Sequence, residues 1–199
     1  MKAVIKAYQR FKINRYFRKG RYDKALPLLE PIAKTGDARA QFLIGLVYSN
    51  AWNSIGDDDA FKAEKWFSRA ADNGHVMAQV MLGDLYSIDA HIPARLHRAL
   101  KWYRKAKNAG HVEAGRKLAA LHIKYRHIIA EDINSTGLLI EAADQGDYKA
   151  AVLLAWGYKK GHCGFPEDMT RFRYWWNKLK HMSKGYSPDN LNNQKLLHY

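Results

Sequence analysis

Four glycines recur along this chain at a nearly constant interval, and each separates two segments of apolar periodicity. They are Gly36, Gly74, Gly110 and Gly146, spaced by 38, 36 and 36 residues. Self-similarity at a fixed period of about 20–50 residues is typical of solenoids, in which stacked units share one continuous core. Glycine takes the left-handed backbone conformation that ends many helices without steric cost. The spacing therefore predicts a helical-repeat protein.

Other positions keep a fixed distance from each of these turn glycines. An alanine lies four residues after each glycine, a small residue lies five residues after that alanine, and an aromatic or imidazole ring lies three residues further on. A large apolar residue lies eight residues before each glycine. These sets are Ala40, Ala78, Ala114 and Ala150; Gly45, Gly83, Ala119 and Ala155; Tyr48, Tyr86, His122 and Tyr158; and Leu28, Trp66, Trp102 and Leu138. The pattern predicts two antiparallel helices per unit. We expect Trp66 and Trp102 to be buried, so that truncating either to Ala costs roughly 3–5 kcal/mol.

The best-formed unit reads KAEKWFSRAADNG over residues 62–74 and AQVMLGDLY over residues 78–86. It resembles the Sel-one-like repeat (SLR) family, a relative of the tetratricopeptide repeats, whose unit reads A-x3-L-G-x2-Y, a loop, then K-A-x2-W-x2-K-A-A-x2-G. The resemblance covers about Tyr22 to Lys180. The third unit departs from it with Ala119 and His122, and Gly137-Leu138-Leu139 replaces the Lys-Trp motif. The usual G-x-G loop is also missing after three of the rings.

The resemblance implies an all-α fold, a right-handed α-solenoid of antiparallel helix pairs with about five pairs. We expect a single helical-repeat domain over residues 1–183, followed by a polar, mobile tail over residues 184–199. The domain would contain a basic N-terminal capping pair, 1–36, and four repeats, 37–74, 75–110, 111–146 and 147–183. A longer loop is expected at Ser49–Gly56, and Pro27 and Pro31 should bend or shorten their helix.

The formal net charge is +14, and summed over three long segments it lies at the two ends of the chain. Residues 1–22 hold eight Lys or Arg and no acid, residues 171–199 hold six and one acid, and residues 23–170 are left near +1. The N-terminal segment combines a basic stripe with an apolar stripe of Val4, Tyr8 and Phe11. We interpret it as the first helix of a capping repeat; the alternative, which is compatible with the first, is a surface for nucleic acid or anionic lipid. That basic N-terminal surface comprises Lys2, Lys6, Arg10, Lys12, Arg15, Arg18 and Lys19.

No nucleophile elbow, HExxH motif, P-loop or dinucleotide fingerprint occurs, so we predict a non-enzymatic protein without cofactor or metal. The acids at residues 57–59 are interpreted as the first turn of a helix. His75 and His111 share one repeat position, which indicates a structural role. His162 beside the sole cysteine, Cys163, is a weak candidate pair, because neighbours in a loop rarely face each other.

The single cysteine forbids an internal disulfide, and together with the resemblance it favours a reducing cytoplasm. Residues 1–20 contain no apolar run long enough for a signal peptide or membrane span. The resemblance also implies a bacterial source.

The resemblance further implies that the first helix of each repeat lines a concave groove. Projected onto this chain, the partner groove has two Met in its N-terminal half, and it is basic with one Trp in its C-terminal half, which suits an acidic or apolar protein segment. Its residues are Arg39, Phe42, Leu46, Met77, Met81, Asp84, Glu113, Arg116, Lys117, Lys149, Trp156 and Lys160. We predict a cytoplasmic protein-interaction scaffold or adaptor. The alternative is binding of nucleic acid or an anionic membrane through the basic ends.

Overall fold

The computed structural model describes residues 2–55, 57–129, 132–161 and 164–182, and within these ranges all regular structure is α-helical. Side chains are described for the same residues except 2–8, 50–55, 57 and 58. The described part contains ten helices: α1 (Lys2–Arg18), α2 (Tyr22–Lys34), α3 (Ala38–Ile55), α4 (Asp57–Asp72), α5 (Val76–Ser87), α6 (Pro93–Asn108), α7 (Val112–Lys124), α8 (Ser135–Asp144), α9 (Tyr148–Lys160) and α10 (Met169–Met182).

Helices that follow one another in the chain pack against each other within two compact units. In the first unit, Met1–Leu85, α1 contacts α2, α2 contacts α3, and α3 contacts α4. In the second unit, Tyr86–Tyr199, the same sequential packing runs from α6 to α10. The predicted all-α fold of consecutive helix pairs is confirmed. The single domain over residues 1–183 stays a prediction.

The four turn glycines adopt the backbone conformation that the repeat predicts. Their φ angles are 89°, 83°, 86° and 95° at Gly36, Gly74, Gly110 and Gly146. A Cβ added at any of them would meet no atom within 4 Å. The requirement for glycine is therefore conformational and not steric, because L-residues pay for positive φ wherever they stand.

Gly45, the small residue inside α3, serves a different purpose, which is close approach to α4. Gly45 of α3 lies so near α4 that a Cβ there would stand 2.5 Å from Cδ1 and 2.6 Å from Cε1 of the Phe67 ring. Phe67 is buried, as are the equivalent small residues Gly83, Ala119 and Ala155. The missing side chain at Gly45 thus lets α3 and α4 pack closely.

The prediction that Trp66 and Trp102 are core residues is wrong by one position. Both side chains are half-buried, and the residue after each of them, Phe67 or Tyr103, is 3% exposed. One residue turns the side chain by about 100° around a helix, which is enough to exchange a core position for a flank. The outer face of each Trp carries a cation from the next turn, with Arg69 4.8 Å from the Trp66 ring and Lys105 4.5 Å from the Trp102 ring.

Each unit has its own apolar core. In the first unit it is built from Ile13, Ala25, Leu29, Ala33, Ala40 and Ile44. In the second it includes Leu139, Leu154, Tyr158, Phe165, Trp175 and Leu179. Of the two adjacent tryptophans in the last helix, Trp175 is buried and Trp176 is half-buried.

Three local predictions differ from the structure. The loop expected at Ser49–Gly56 is helical up to Ile55, because α3 continues through it. Phe11, expected on the apolar stripe of α1, is 59% exposed, and Ile13 is buried in its place. α2 runs unbroken through Pro27 and Pro31, both on its exposed side. None of the described helices has the length and hydropathy needed to cross a bilayer.

Candidate functional site

The residue after each turn glycine fixes the start of a first helix by accepting a hydrogen bond from the backbone three residues on. Asp37 and Asp147 accept through Oδ1 from the N–H groups of Ala40 and Ala150, at 2.8 and 3.1 Å. His75 and His111 accept through Nδ1 from Ala78 and Ala114, at 3.2 and 3.3 Å. Such N-caps satisfy a backbone donor that the helix leaves open. The interpretation of both histidines as structural is confirmed.

His75 is further held by its neighbours in the first unit. The Phe42 ring stacks on the imidazole, with 4.2 Å between ring centroids and 19° between planes. Burial lowers the pKa of His75 below its ordinary value of 6.5; the positive charge of Arg39 lowers it further, and Asp37 opposes the shift. The neutral imidazole, which the cap requires at Nδ1, is thereby favoured.

The groove residues predicted in the first unit form a mixed apolar surface on α3 and α5. Met77 is 43% exposed. Phe42, Leu46, Met81 and Asp84 are half-buried, and Arg39 is exposed. Val80, whose position also projects toward the groove, is instead 2% exposed and belongs to the core.

Arg116 on α7, predicted as a groove cation, is buried in an ion-pair network. Its Nε donates to Oδ2 of Asp147 at 2.9 Å, and its Nη2 donates to Oε1 of Glu113 at 2.8 Å. Lys117 also lies 3.6 Å from Glu113 Oε1. Both charges of the Arg116–Asp147 pair are largely buried, so this guanidinium holds α9 to α7 and is not available to a partner's carboxylate. The expectation for Arg116 fails because the position two residues before the conserved Leu slot faces the next helix here.

The remaining predicted groove residues of the second unit lie on α9. Lys149 and Lys160 are exposed, and Trp156 is half-buried. Lys159, whose position projects toward the same groove, belongs with them: its ammonium lies 4.9 Å from the Trp156 ring and 5.2 Å from the Phe172 ring.

The described part of the basic N-terminal surface is solvent-facing. Arg10, Arg15, Arg18 and Lys19 are exposed, and Lys12 is half-buried. The side chains of Lys2 and Lys6 lie outside the described residues. The opposite face of α1 packs on the core of the first unit through Ile13, Tyr16 and Phe17.

A polar cleft of about 580 Å³ opens beside the start of α8. Inside it, the Nδ1 atom of buried His122 lies 2.7 Å from Ser135 Oγ, and that hydroxyl donates to the Ile133 carbonyl at 3.4 Å. Among the described residues, no three His, Cys, Asp or Glu side chains come together as metal ligands. His162 and Cys163 lie outside the described residues.

A further charged surface lies on α6 and was missed in the sequence. This helix holds six Lys or Arg and no acid. The prediction that positive charge is confined to the ends of the chain is therefore wrong. It failed because, in the sum over residues 23–170, the positive charges of α6 are cancelled by acidic residues elsewhere in that segment. Net charge counted over windows of one helix length would have shown the cluster.

Comparisons with known proteins agree with this geometry. The family model described as Sel1 repeat matches residues 38–75 and 76–111. A Sel1 repeat protein from Oxalobacter formigenes is 29% identical with a TM-score of 0.66, over 89% of this chain and 50% of that one. A protective antigen of uropathogenic Escherichia coli strains that displays an SLR fold is 26% identical with a TM-score of 0.66, over 80% of this chain and 33% of that one. The chain thus spans about a third to a half of these two structures. No curated protein matches it.

Proposed function

We propose that this chain, a protein of the Sel1 repeat (SLR) family, binds a segment of another protein and catalyses no reaction. Members of the family are in general protein–protein interaction scaffolds. We place the proposed site on the exposed side of α9. One observation carries the proposal: a half-buried tryptophan stands among lysines on a helix that contains no acidic residue. A cytoplasmic location stays a prediction.

The proposed site is a single stripe along α9. Lys149, Leu153, Trp156 and Lys160 recur at spacings of four, three and four residues, which places them within about 60° of one another around the helix. Leu153 and Trp156 are half-buried, and the two lysines are exposed. The stripe thus has an apolar centre with a cation at each end, about 16 Å apart along the axis.

The chemistry of the stripe selects the partner. Charge-assisted contacts between ammonium and carboxylate are the stronger class of hydrogen bond, so the two ends favour Asp or Glu. The apolar centre favours a leucine or aromatic residue, and buried tryptophans are frequent energetic centres of interfaces. An extended segment of about five residues covers 16 Å. We therefore propose an acidic segment with one central apolar residue as the ligand.

Lys159 adds to this site by being held in place before binding. Its ammonium lies over the Trp156 and Phe172 rings at once. Contacts of this kind reduce the rotamer entropy that a lysine loses when it meets a partner. Lys159 thus supplies a third cation beside the apolar centre.

The predicted groove residues of the first unit are a separate proposal. Phe42, Leu46, Met77 and Met81 offer an apolar surface in which flexible methionines tolerate varied ligands. Arg39 and Asp84 remain in this set. In the second unit, Glu113 and Lys117 of α7 stay proposed groove residues by themselves, whereas Arg116 is left out because it is held in its ion pairs.

The experiment is selection of ligands from a displayed random peptide library, followed by calorimetry on the peptides that win. We expect acidic sequences with a central apolar residue. Trp156→Ala should weaken binding about 30-fold, the equivalent of about 2 kcal/mol, and Lys149→Glu with Lys160→Glu should abolish it. The matched control is Lys34→Glu with Lys65→Glu, which changes the same charge on exposed residues of α2 and α4. Equal losses in the control, or winning peptides without acids, would refute the α9 site.

A further inference from the structure

We propose that the solvent face of α6 is a second binding surface, one that takes the phosphate backbone of a nucleic acid without reading its sequence. The proposal is independent of the α9 site. It rests on three observations: the arrangement of charge along α6, the aromatic rings beneath two of its cations, and the burial of its apolar face in the protein.

The exposed side of α6 is a continuous basic strip. His97, Arg98, Lys101, Arg104 and Lys105 are all exposed. Their positions fall within a sector of about 120° around the helix axis, and Arg98 and Lys105 are about 10 Å apart along it. The helix has no Asp or Glu to interrupt the strip. Four permanent cations therefore stand together in a short row.

Two acids pair with cations near the ends of this helix. Asp89 lies 3.4 Å from Arg95 at the start of α6, and Glu141 lies 3.0 Å from Lys107 at its end. Both of these cations lie outside the 120° sector. Within the described part of the chain, Arg98, Lys101 and Lys105 have no carboxylate within salt-bridge distance. These three cations thus keep their charge for a ligand.

Two aromatic rings support the strip from beneath. The Lys105 ammonium lies 4.5 Å from the Trp102 ring, and the Arg98 guanidinium lies 5.5 Å from the Tyr86 ring. Cations held over rings are restrained in direction while their hydrogen-bond donors stay available at the ring edge. Basic residues interleaved with aromatic ones are typical of surfaces that follow a nucleic-acid backbone.

The same helix is poorly suited to a bilayer. A helix that lies in a lipid surface buries its apolar face between the acyl chains. In α6 that face is already used, because Leu96, Leu100 and Tyr103 are buried in the protein. No large apolar side chain is exposed on the helix. Insertion would therefore offer no hydrophobic gain.

An acidic protein is also a weaker match than a phosphate backbone. Protein interfaces draw most of their affinity from a few buried apolar or aromatic anchors. The exposed sector of α6 offers charge with no such anchor, because Trp102 lies outside the 120° sector that holds its cations. Phosphate binding needs no anchor, because release of condensed counterions supplies the affinity. The net charge of +14 adds long-range attraction to any nucleic acid.

The test is a fluorescence-anisotropy titration of a labelled DNA duplex of mixed sequence, about 16 base pairs long, at several salt concentrations from about 50 to 200 mM. We expect salt-dependent binding that changes little with the base sequence. Arg98→Glu, Lys101→Glu and Lys105→Glu together should weaken binding at low salt by at least about tenfold. The slope of log K against log salt should become shallower by about 0.9 for each phosphate that the variant no longer neutralises.

The matched control places the same charge change on the basic N-terminal surface, as Arg10→Glu, Arg15→Glu and Arg18→Glu. It should lose much less affinity than the α6 variant. An equal or larger loss, or no duplex binding by the wild type at low salt, overturns the proposal. A triple Gln variant of the same α6 residues replaces the Glu variant if circular dichroism shows that the latter fails to fold.

Two further ligands separate the competing partner classes. Vesicles of phosphatidylserine and phosphatidylcholine, and a polyglutamate peptide, are titrated against the wild type and the α6 variant. We expect both to bind more weakly than the duplex. Binding of vesicles or polyglutamate that depends on α6 and matches or exceeds duplex binding overturns the assignment to nucleic acid.

Discussion

Adding one methyl group at Gly45 tests the spacing of α3 and α4. By helix propensity alone, Gly45→Ala should stabilise the protein by about 0.8–1 kcal/mol, because Ala loses less backbone entropy in a helix interior. The structure predicts the opposite sign. The new Cβ would stand 2.5 Å from the Phe67 ring, and because Phe67 is 3% exposed it has little room to move.

Overpacking of this kind costs about 1–3 kcal/mol. Subtracting the gain in propensity leaves a net loss of about 1 kcal/mol for Gly45→Ala. The size of the loss depends on the Phe67 ring, so Phe67→Leu should remove the clash. In that background the same substitution should be neutral or stabilising, which makes the two mutations non-additive by about 1–2 kcal/mol.

Gly115→Ala is the matched control. Gly115 is also a buried helical glycine, on α7, but a Cβ there meets only the flexible Lys107 side chain, at 3.4 Å from Cγ. This substitution should stabilise by up to about 1 kcal/mol. Urea unfolding followed by far-UV circular dichroism measures the wild type, the two single variants at Gly45 and Phe67, their double variant and Gly115→Ala, with unchanged m-values required for the comparison. If Gly45→Ala alone, with Phe67 unchanged, were more stable than the wild type, the reasoning would be refuted.

Three other predictions follow from the same packing and hydrogen bonds. Phe67→Ala should cost about 3–5 kcal/mol and Trp66→Ala clearly less in chemical unfolding, because Phe67 is in the core and Trp66 is on its flank; equal costs would restore the original assignment of the core. Asp37→Ala should cost about 1 kcal/mol as the loss of a cap, and Asp147→Ala about 2–3 kcal/mol, because it also removes one of the two carboxylates paired with buried Arg116; similar costs would show that the Arg116–Asp147 pair contributes little. The pKa of His75 is lowered below 6.5 in the folded state, so the unfolded chain binds the proton more readily. The stability that the His75 cap contributes is therefore complete above about pH 6.5 and is lost as the pH falls through the lower folded pKa. His75→Asn, a cap that does not titrate, should therefore lose less thermal stability than the wild type between about pH 7.5 and pH 5; parallel losses would contradict the role of the imidazole.

The backbone of the repeat was predictable because single residues dictate it. Gly74 and Gly110 need positive φ, and His75 and His111 follow as caps at the same place in each unit. Both features are local, since they depend on a few consecutive residues. They appear in the sequence as fixed spacings.

Burial around each helix was less predictable because it depends on one residue of register. Trp66 is larger and more apolar than most residues, so it was assigned to the core, yet its neighbour Phe67 is buried and Trp66 lies at the edge under Arg69. The register is set by how closely Gly45 lets the helices approach. That distance is a property of two segments far apart in sequence.

The candidate site was predicted in part for the same reason. Lys149, Trp156 and Lys160 are exposed or half-exposed on α9. Arg116 is instead paired with Asp147, a residue 31 positions away in the sequence. Which cations remain available is decided by such distant partners, and no local pattern reports them.

The most direct test of the proposed function observes the tryptophans themselves. The protein has six, and each gives one indole N–H signal in a ¹⁵N–¹H spectrum. Trp156→Phe assigns its signal, and Trp66→Phe and Trp102→Phe assign two controls. On titration with the selected acidic peptide, we expect a large, saturable shift of the Trp156 signal with the Trp66 and Trp102 signals unmoved. Saturable binding that leaves Trp156 unmoved would contradict the proposal that α9 is the binding site.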